Sequence, residues 1–276
     1  ASSASQYVAV YSDSLQQTGV NIGNNGATPP VDITISNMGF EAAGLADVFL
    51  VEDAEQCTFT DVSFLGSLGE ADLIDAVDDT ACVRFSSTAS LICNNITFRR
   101  CTFGGTTWAF ETPNQVQGVL VTESTFDTHY QGVLLGDPAP VNGGPTGFRF
   151  LGNVFDNIYA EGILIAASTG MNASGYNMFY DVGNHFNGAG NPASAVMTID
   201  SASNVSMGDM FERSLAQAAT YPRIKLYNTT TSAIPAAIAI DNSAQIQMGS
   251  FIRETGQQAT ITAGATKRRE LFGNLG

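Results

Sequence analysis

An eight-residue segment recurs eight times along this chain, alternating apolar and polar residues, turning in its middle and closing on Phe40, Phe64, Phe103, Phe126, Phe155, Phe179, Phe211 or Phe251. The copies are ITISNMGF, CTFTDVSF, ITFRRCTF, VLVTESTF, FRFLGNVF, NASGYNMF, NVSMGDMF and AQIQMGSF. A period of two belongs to β-strands. A short strand unit cannot bury its apolar face alone, so its repetition predicts a stacked coil. Intervals of 23 to 40 residues between closing phenylalanines are too irregular for ankyrin or tetratricopeptide arrays, whose helices need a fixed period. A second apolar strand follows each copy, as in VFLV (48–51), ACVRF (81–85), WAF (108–110), GVLL (132–135), GILI (162–165), AVMTI (195–199), RIKLY (223–227) and ATIT (259–262). The expectation is an all-β parallel β-helix, a solenoid of about nine three-strand coils, each about 4.8 Å above the last. It forms one domain over 1–276, with a partial coil at 1–30, repeat coils at 31–263 and a cap or linker at 264–276.

Position six of the repeat holds Ser124, Asn153, Asn177 and Asp209 in successive coils. Amide side chains stacked at equivalent turns hydrogen-bond one another and the turn backbone, so these residues predict an interior ladder with a structural role. Cys57, Cys82, Cys93 and Cys101 match no zinc spacing and are expected as reduced, partly buried thiols, the alternative being a disulfide between neighbouring coils, whose stacked strands bring Cα atoms within bridging range.

Eleven basic residues face 26 acidic ones, for a net charge of -15. Nucleic acid and anionic membranes are bound through basic patches, so neither is an expected partner. No stretch approaches the roughly 18 to 20 apolar residues that cross a bilayer. The opening ASSASQYVAV lacks the basic and apolar regions of a signal peptide, and none is expected.

Residues just past each closing phenylalanine stack if the coils are in register. They are Asp127, Asp156, Tyr180 with Asp181, and Glu212. Two carboxylates about 5 Å apart on adjacent coils suit a retaining glycosidase, with Asp127, Asp156 and Glu212 as its candidate catalytic residues. Tyr130, Tyr159 and Glu161 lie in the same loops, where aromatic faces can pack on sugar rings. The acidic run Glu70, Asp72, Asp75, Asp78 and Asp79 lacks the spacing of a calcium loop and reads as a solvated insertion. His129 and His185 have no ligand partners at metal spacing, and no metal or cofactor is expected. On the second strand, alternation places Val133, Leu135, Ile163, Ile165, Ile224 and Leu226 inside. Arg84, Ala109, Leu134, Leu164, Thr198 and Lys225 then face outward, a row with no carboxylate. Leu134 and Leu164 form an apolar strip there, the mark of a subunit interface.

The coils resemble the right-handed β-helix domains of tailed-bacteriophage tail spikes and related virion proteins, most closely in VFDNIYAEGILIA (154–166) and YDVGNHFNG (180–188). That resemblance implies a right-handed parallel β-helix and a rigid, homotrimeric, non-enzymatic appendage of the virion, joined to other virion proteins and recognising a host surface polysaccharide. Asp127, Tyr130, Asp156, Tyr159, Glu161 and Asp181 would be its glycan contacts. The rival reading is a polysaccharide lyase or glycosidase of the pectate-lyase-like β-helix class. A bacterial surface adhesin is a third.

Overall fold

The computed structural model describes residues 8–12, 20–22, 30–43, 47–69, 79–86, 92–112, 116–136, 145–166, 172–180 and 182, together with short strands between 197 and 262. The chain opens with β1 (Val8–Ser12) and β2 (Val20–Ile22), then β3 (Thr34–Ala42) and β4 (Phe49–Glu52), and β5 (Thr58–Leu65) and β6 (Ala81–Ser86). It continues with β7 (Cys93–Arg99), β8 (Thr102–Thr112), β9 (Val116–Thr122), β10 (Thr125–Leu135), β11 (Arg149–Leu151), β12 (Val154–Ile158) and β13 (Ile163–Ala166). Next come β14 (Asn172–Gly175), β15 (Asn177–Tyr180), β16 (Met197–Asp200), β17 (Val205–Met207), β18 (Met210–Arg213) and β19 (Ile224–Tyr227). β20 (Ile246–Met248), β21 (Phe251–Arg253) and β22 (Ile261–Thr262) close the series.

Every strand pairing is parallel, and the pairings sort into three faces of one solenoid. Face A stacks the first half of β5 on β7, then β9, β11, β14, β17 and β20. Face B runs β1, β3, β5, β8, β10, β12, β15, β18 and β21. Face C runs β2, β4, β6, β8, β10, β13, β16, β19 and β22. This is a parallel β-helix. Its coils differ in detail from three separate strands, since β3 and β5 each continue from face A to face B, and β8 and β10 from face B to face C.

The repeat sequence explains the packing. Position eight points inward, and Phe40, Phe64, Phe103, Phe126, Phe155 and Phe179 stack ring on ring at 5.6, 5.3, 4.9, 4.4 and 5.0 Å between centroids. Phe59 and Phe98 from position three pack edge-on against that column. Position five takes a positive φ at Asn37, Asp61, Arg100, Glu123, Gly152 and Tyr176, which turns the chain from face A to face B in every described copy. Position six carries the ladder. Ser124 Oγ accepts from Cys101 N at 3.0 Å, Asn153 Oδ1 from Ser124 N at 3.0 Å, and Asn177 Oδ1 from Asn153 N at 2.9 Å. The Asn153 and Asn177 amides donate in turn to Val121 O and Phe150 O, both at 3.0 Å. Asp209 lies outside the described residues. All four cysteines are buried and unbridged.

Two expectations are corrected here. Phe211 pairs with Met178 rather than Phe179, and Phe251 with Met210, so the closing-phenylalanine register ends at Phe179. A slip of one residue changes which residues align with the interior. On face A the same slip brings apolar Val205 and Met207 opposite Asn172 and Ser174, where the repeat would have set Asn204 and Ser206. The second correction concerns face C. Ala109 is fully buried, and the outward row passes through Leu50, Arg84, Glu111, Leu134 and Leu164. β8 runs two residues beyond Phe110, which adds a carboxylate to the row. Gly66 and Leu68 donate from their backbone N–H groups to Gly104 O and Gly105 O.

The ladder yields a stability prediction. Asn153→Ala strands the buried Ser124 N–H and should destabilise the protein by about 3 kcal/mol in urea unfolding, whereas the surface change Thr125→Ala should stay within about 0.5 kcal/mol. Equal effects would remove the ladder's structural role.

Candidate functional site

Past the phenylalanine column, face B turns into face C through a corner whose geometry is set by positive φ at Gly105, Thr128 and Asn157. On β10 and β12 this corner has Asp127 opposite Asp156 and His129 opposite Ile158. Tyr180 continues the row beyond Asp156. One rung is about 4.8 Å, so Asp127 and Asp156 are lateral neighbours on one face. Asp127 Oδ1 accepts from Thr128 Oγ1 at 3.0 Å and from Asn157 Nδ2 at 3.2 Å, which fixes that carboxylate.

Beside the carboxylates, Tyr130 and Tyr159 stack at 5.2 Å with 25° between their rings. Burial, then the neighbouring Tyr159 and Glu161, pushes the Tyr130 hydroxyl above its ordinary range. The two tyrosines sit one rung apart, with Tyr159 N donating to His129 O at 3.0 Å and Ala160 N to Tyr130 O at 2.7 Å. Gly132 N donates to Glu161 O at 3.0 Å, and a Cβ on Gly132 would lie 2.2 Å from Gly162 O. Asp127, Tyr130, Asp156, Tyr159 and Glu161 are all half-buried and together form a ledge. Asp181 lies outside the described residues. Glu212 pairs with Phe179, whereas Tyr180 in the Asp156 row pairs with Arg213, so the structure does not bring Glu212 to the ledge.

The interior behind the ledge holds His129. Its Nδ1 lies 3.1 Å from both Thr106 O and Thr106 Oγ1, and its Nε2 has no partner among the described residues. Burial pushes its pKa down to about 4, so the ring is neutral at ordinary pH.

A second polar group, which the sequence reading missed, lies on face C. Arg84 reaches Asp47 Oδ2 from Nε at 2.7 Å and Asp47 Oδ1 from Nη2 at 3.1 Å; Nη2 also reaches Asp79 Oδ1 at 3.2 Å, and Nη1 contacts Glu111 Oε2. Burial works against the Arg84 charge, but Asp47, Glu111 and Asp79 outweigh it and hold its pKa raised. Three carboxylates share one guanidinium. Burial, aided by Asp79 and Asp47, pushes Glu111 up to about 7 despite Arg84. Leu134 and Leu164, the expected interface strip, are half-buried neighbours beyond Glu111 in this row. Asp47, Asp79 and Glu111 come from three separate segments, and the only cue in the sequence was Glu111 directly after an inward Phe110. Of the acidic run, Glu70, Asp72, Asp75 and Asp78 lie outside the described residues, as does His185. No cluster of three or more metal-ligating side chains occurs among the described residues.

No family model matches the chain, and no curated protein does. Among solved structures it is similar to one described as a glycoside hydrolase, at 10% identity and a TM-score of 0.47. The likeness covers 73% of this chain, which spans 37% of the length of that structure. This finding stands against the non-enzymatic role expected from the sequence, and that expectation is set aside.

Glu111 and His129 make opposite contributions to stability as pH changes. The folded pKa of Glu111 is raised from 4.5 to about 7, so its contribution is present below pH 4.5 and lost as pH rises through 7. For His129 the folded value falls from 6.5 to about 4, so its contribution is present above pH 6.5 and lost as pH falls through 4. Each gap is worth about 3 kcal/mol, and the two offset each other between roughly pH 4.5 and 6.5. Glu111→Gln should unmask His129, and urea unfolding should show the variant losing about 3 kcal/mol more than wild type between roughly pH 6.5 and 4.5. Parallel pH profiles would contradict these assignments.

Proposed function

We propose that this β-helix is a polysaccharide-active protein that holds a glycan chain along the ledge and cleaves glycosidic bonds at the Asp127–Asp156 pair. The observation that carries the reading is the placement of two neighbouring carboxylates next to a stacked tyrosine pair on one half-buried surface. Tyrosine faces pack on the apolar faces of sugar rings and leave their hydroxyls free for hydrogen bonds. A rung spacing of about 4.8 Å is close to the separation of about 5 to 5.5 Å between the carboxyl groups of retaining glycosidases.

The roles follow from the surroundings. Asp127, whose Oδ1 accepts from Thr128 and Asn157, is oriented as the nucleophile. It attacks the anomeric carbon while Asp156 gives its proton to the leaving glycosidic oxygen, forming a glycosyl ester. Asp156 then takes a proton from water, and that water displaces Asp127 and restores both groups. The net charge of -15 favours neutral over acidic sugars in this role.

The tail-spike setting belongs to the same proposal. Leu134 and Leu164, adjacent on face C, would be covered between copies of the chain in a virion homotrimer. Capsular and lipopolysaccharide preparations incubated with the protein should release oligosaccharide detectable by mass spectrometry. Asp127→Asn and Asp156→Asn should each lower the release about a thousandfold or more, while Tyr159→Ala should mainly raise KM, about tenfold. Variants as active as wild type would remove the ledge as the site. Sedimentation equilibrium on the same preparation should give the mass of three chains, and a monomer mass would remove the trimer.

A further inference from the structure

A groove of about 330 Å³ lies where the chain enters face A, at the far end of the repeat from the ledge corner, and Asp32, Thr34, Gln56, Thr58 and Asn95 line it. The isolated bridges Val31–Glu55 and Glu55–Asn94 put Asp32, Gln56 and Asn95 at the same corner of three successive coils. Thr34 and Thr58 are direct register partners just inside it. The lining thus presents one carboxylate, two amides and two hydroxyls, and it contains neither a cation nor an aromatic ring.

Two features separate this corner from an ordinary turn. Asp32, Gln56 and Asn95 hold φ of 58°, 55° and 55°, whereas the next two coils use Gly118 at 66° and Gly147 at 74°. Glycine adopts this conformation most easily, so three coils keep side chains where the same bend is made without them. Those side chains are also unspent: among the described residues, none of the five lining side chains hydrogen-bonds another protein group, whereas Asp61 and Glu123 on the neighbouring corner pair with Arg100 and Arg99. A row of free donors and acceptors repeating about every 4.8 Å matches a chain of repeating hydroxyl groups. With one carboxylate, the groove lacks the charge for firm calcium binding.

We infer that the Asp32–Gln56–Asn95 groove is a second carbohydrate subsite, taking a neutral polyhydroxylated segment through side-chain hydrogen bonds. The inference rests on the polysaccharide reading above, but it concerns binding and needs no chemistry at the ledge. Glycine replacements test it without threatening the fold, because the corner already favours glycine. The parent is Asp156→Asn, which leaves the ligand intact, and the probes are hexasaccharides of the cello-, xylo-, manno- and chito- series in EDTA, followed by calorimetry and saturation-transfer NMR. In this parent, Gln56→Gly with Asn95→Gly should melt no lower and should bind the responding probe about tenfold more weakly. Adding Tyr130→Ala and Tyr159→Ala to the parent should leave groove binding measurable. Affinity unchanged by the glycine pair but lost with the tyrosines would overturn the groove alone and leave the ledge standing. Binding that appears only when calcium is added would overturn the groove as a sugar site. The absence of any binding would overturn both.

Discussion

The fold depends on a parallel hydrogen-bond ladder that sets each coil on the next without a shift in register. A single coil of two or three short strands has no core, and its inward phenylalanine would meet water. Stacking supplies both needs, because the rung that pairs backbone groups also brings ring over ring from Phe40 to Phe179. Once register is fixed, whatever a given repeat position carries outward becomes a row along the axis. Asp127 and Asp156, Tyr130 and Tyr159, and Asp32, Gln56 and Asn95 are three such rows, each made of residues far apart in sequence.

The corners deserve equal weight with the strands. Positive φ recurs at Asp32, Gln56 and Asn95, at Asn37, Asp61, Arg100 and Glu123, and at Thr128 and Asn157. Non-glycine residues pay about 1 kcal/mol or more for that conformation. The chain uses it at three corners of the coil because a short bend must change direction without leaving buried backbone groups unpaired. The consequence for function is that side chains at the corners project from fixed positions, which suits them to ordered contacts with a repeating ligand.

Much of this was legible in the sequence. Period-two alternation and a closing phenylalanine identified the coil, and position six identified the Asn153–Asn177 ladder, since both are local patterns that survive stacking unchanged. The sequence also grouped Asp127, Asp156, Tyr130, Tyr159 and Glu161 by their offset from that phenylalanine. It failed where the offset did not carry over. Glu212 follows a phenylalanine as Asp156 does, yet a slip that pairs Val205 with Asn172 and Glu212 with Phe179 moves it out of the row. Glu111 was missed because β8 continues past the apolar WAF, and the group around Arg84 is assembled from segments whose proximity no linear pattern records. The positive-φ corner at Gln56 has no local signature, because glutamine is not a residue that ordinarily marks such a turn.

These successes and failures share a cause, since each assignment on the surface is a statement about which residues occupy the same rung. The most direct test is disulfide formation between cysteines placed across one rung. Asp127→Cys with Asp156→Cys should oxidise quantitatively into an intramolecular bridge, because direct partners about 4.8 Å apart fall within bridging range. Asp127→Cys with Tyr180→Cys, two rungs and about 9.6 Å apart, should remain reduced under the same conditions. Bridging of the second pair in preference to the first would mean that the coils are not stacked in this register, and the ledge would not exist.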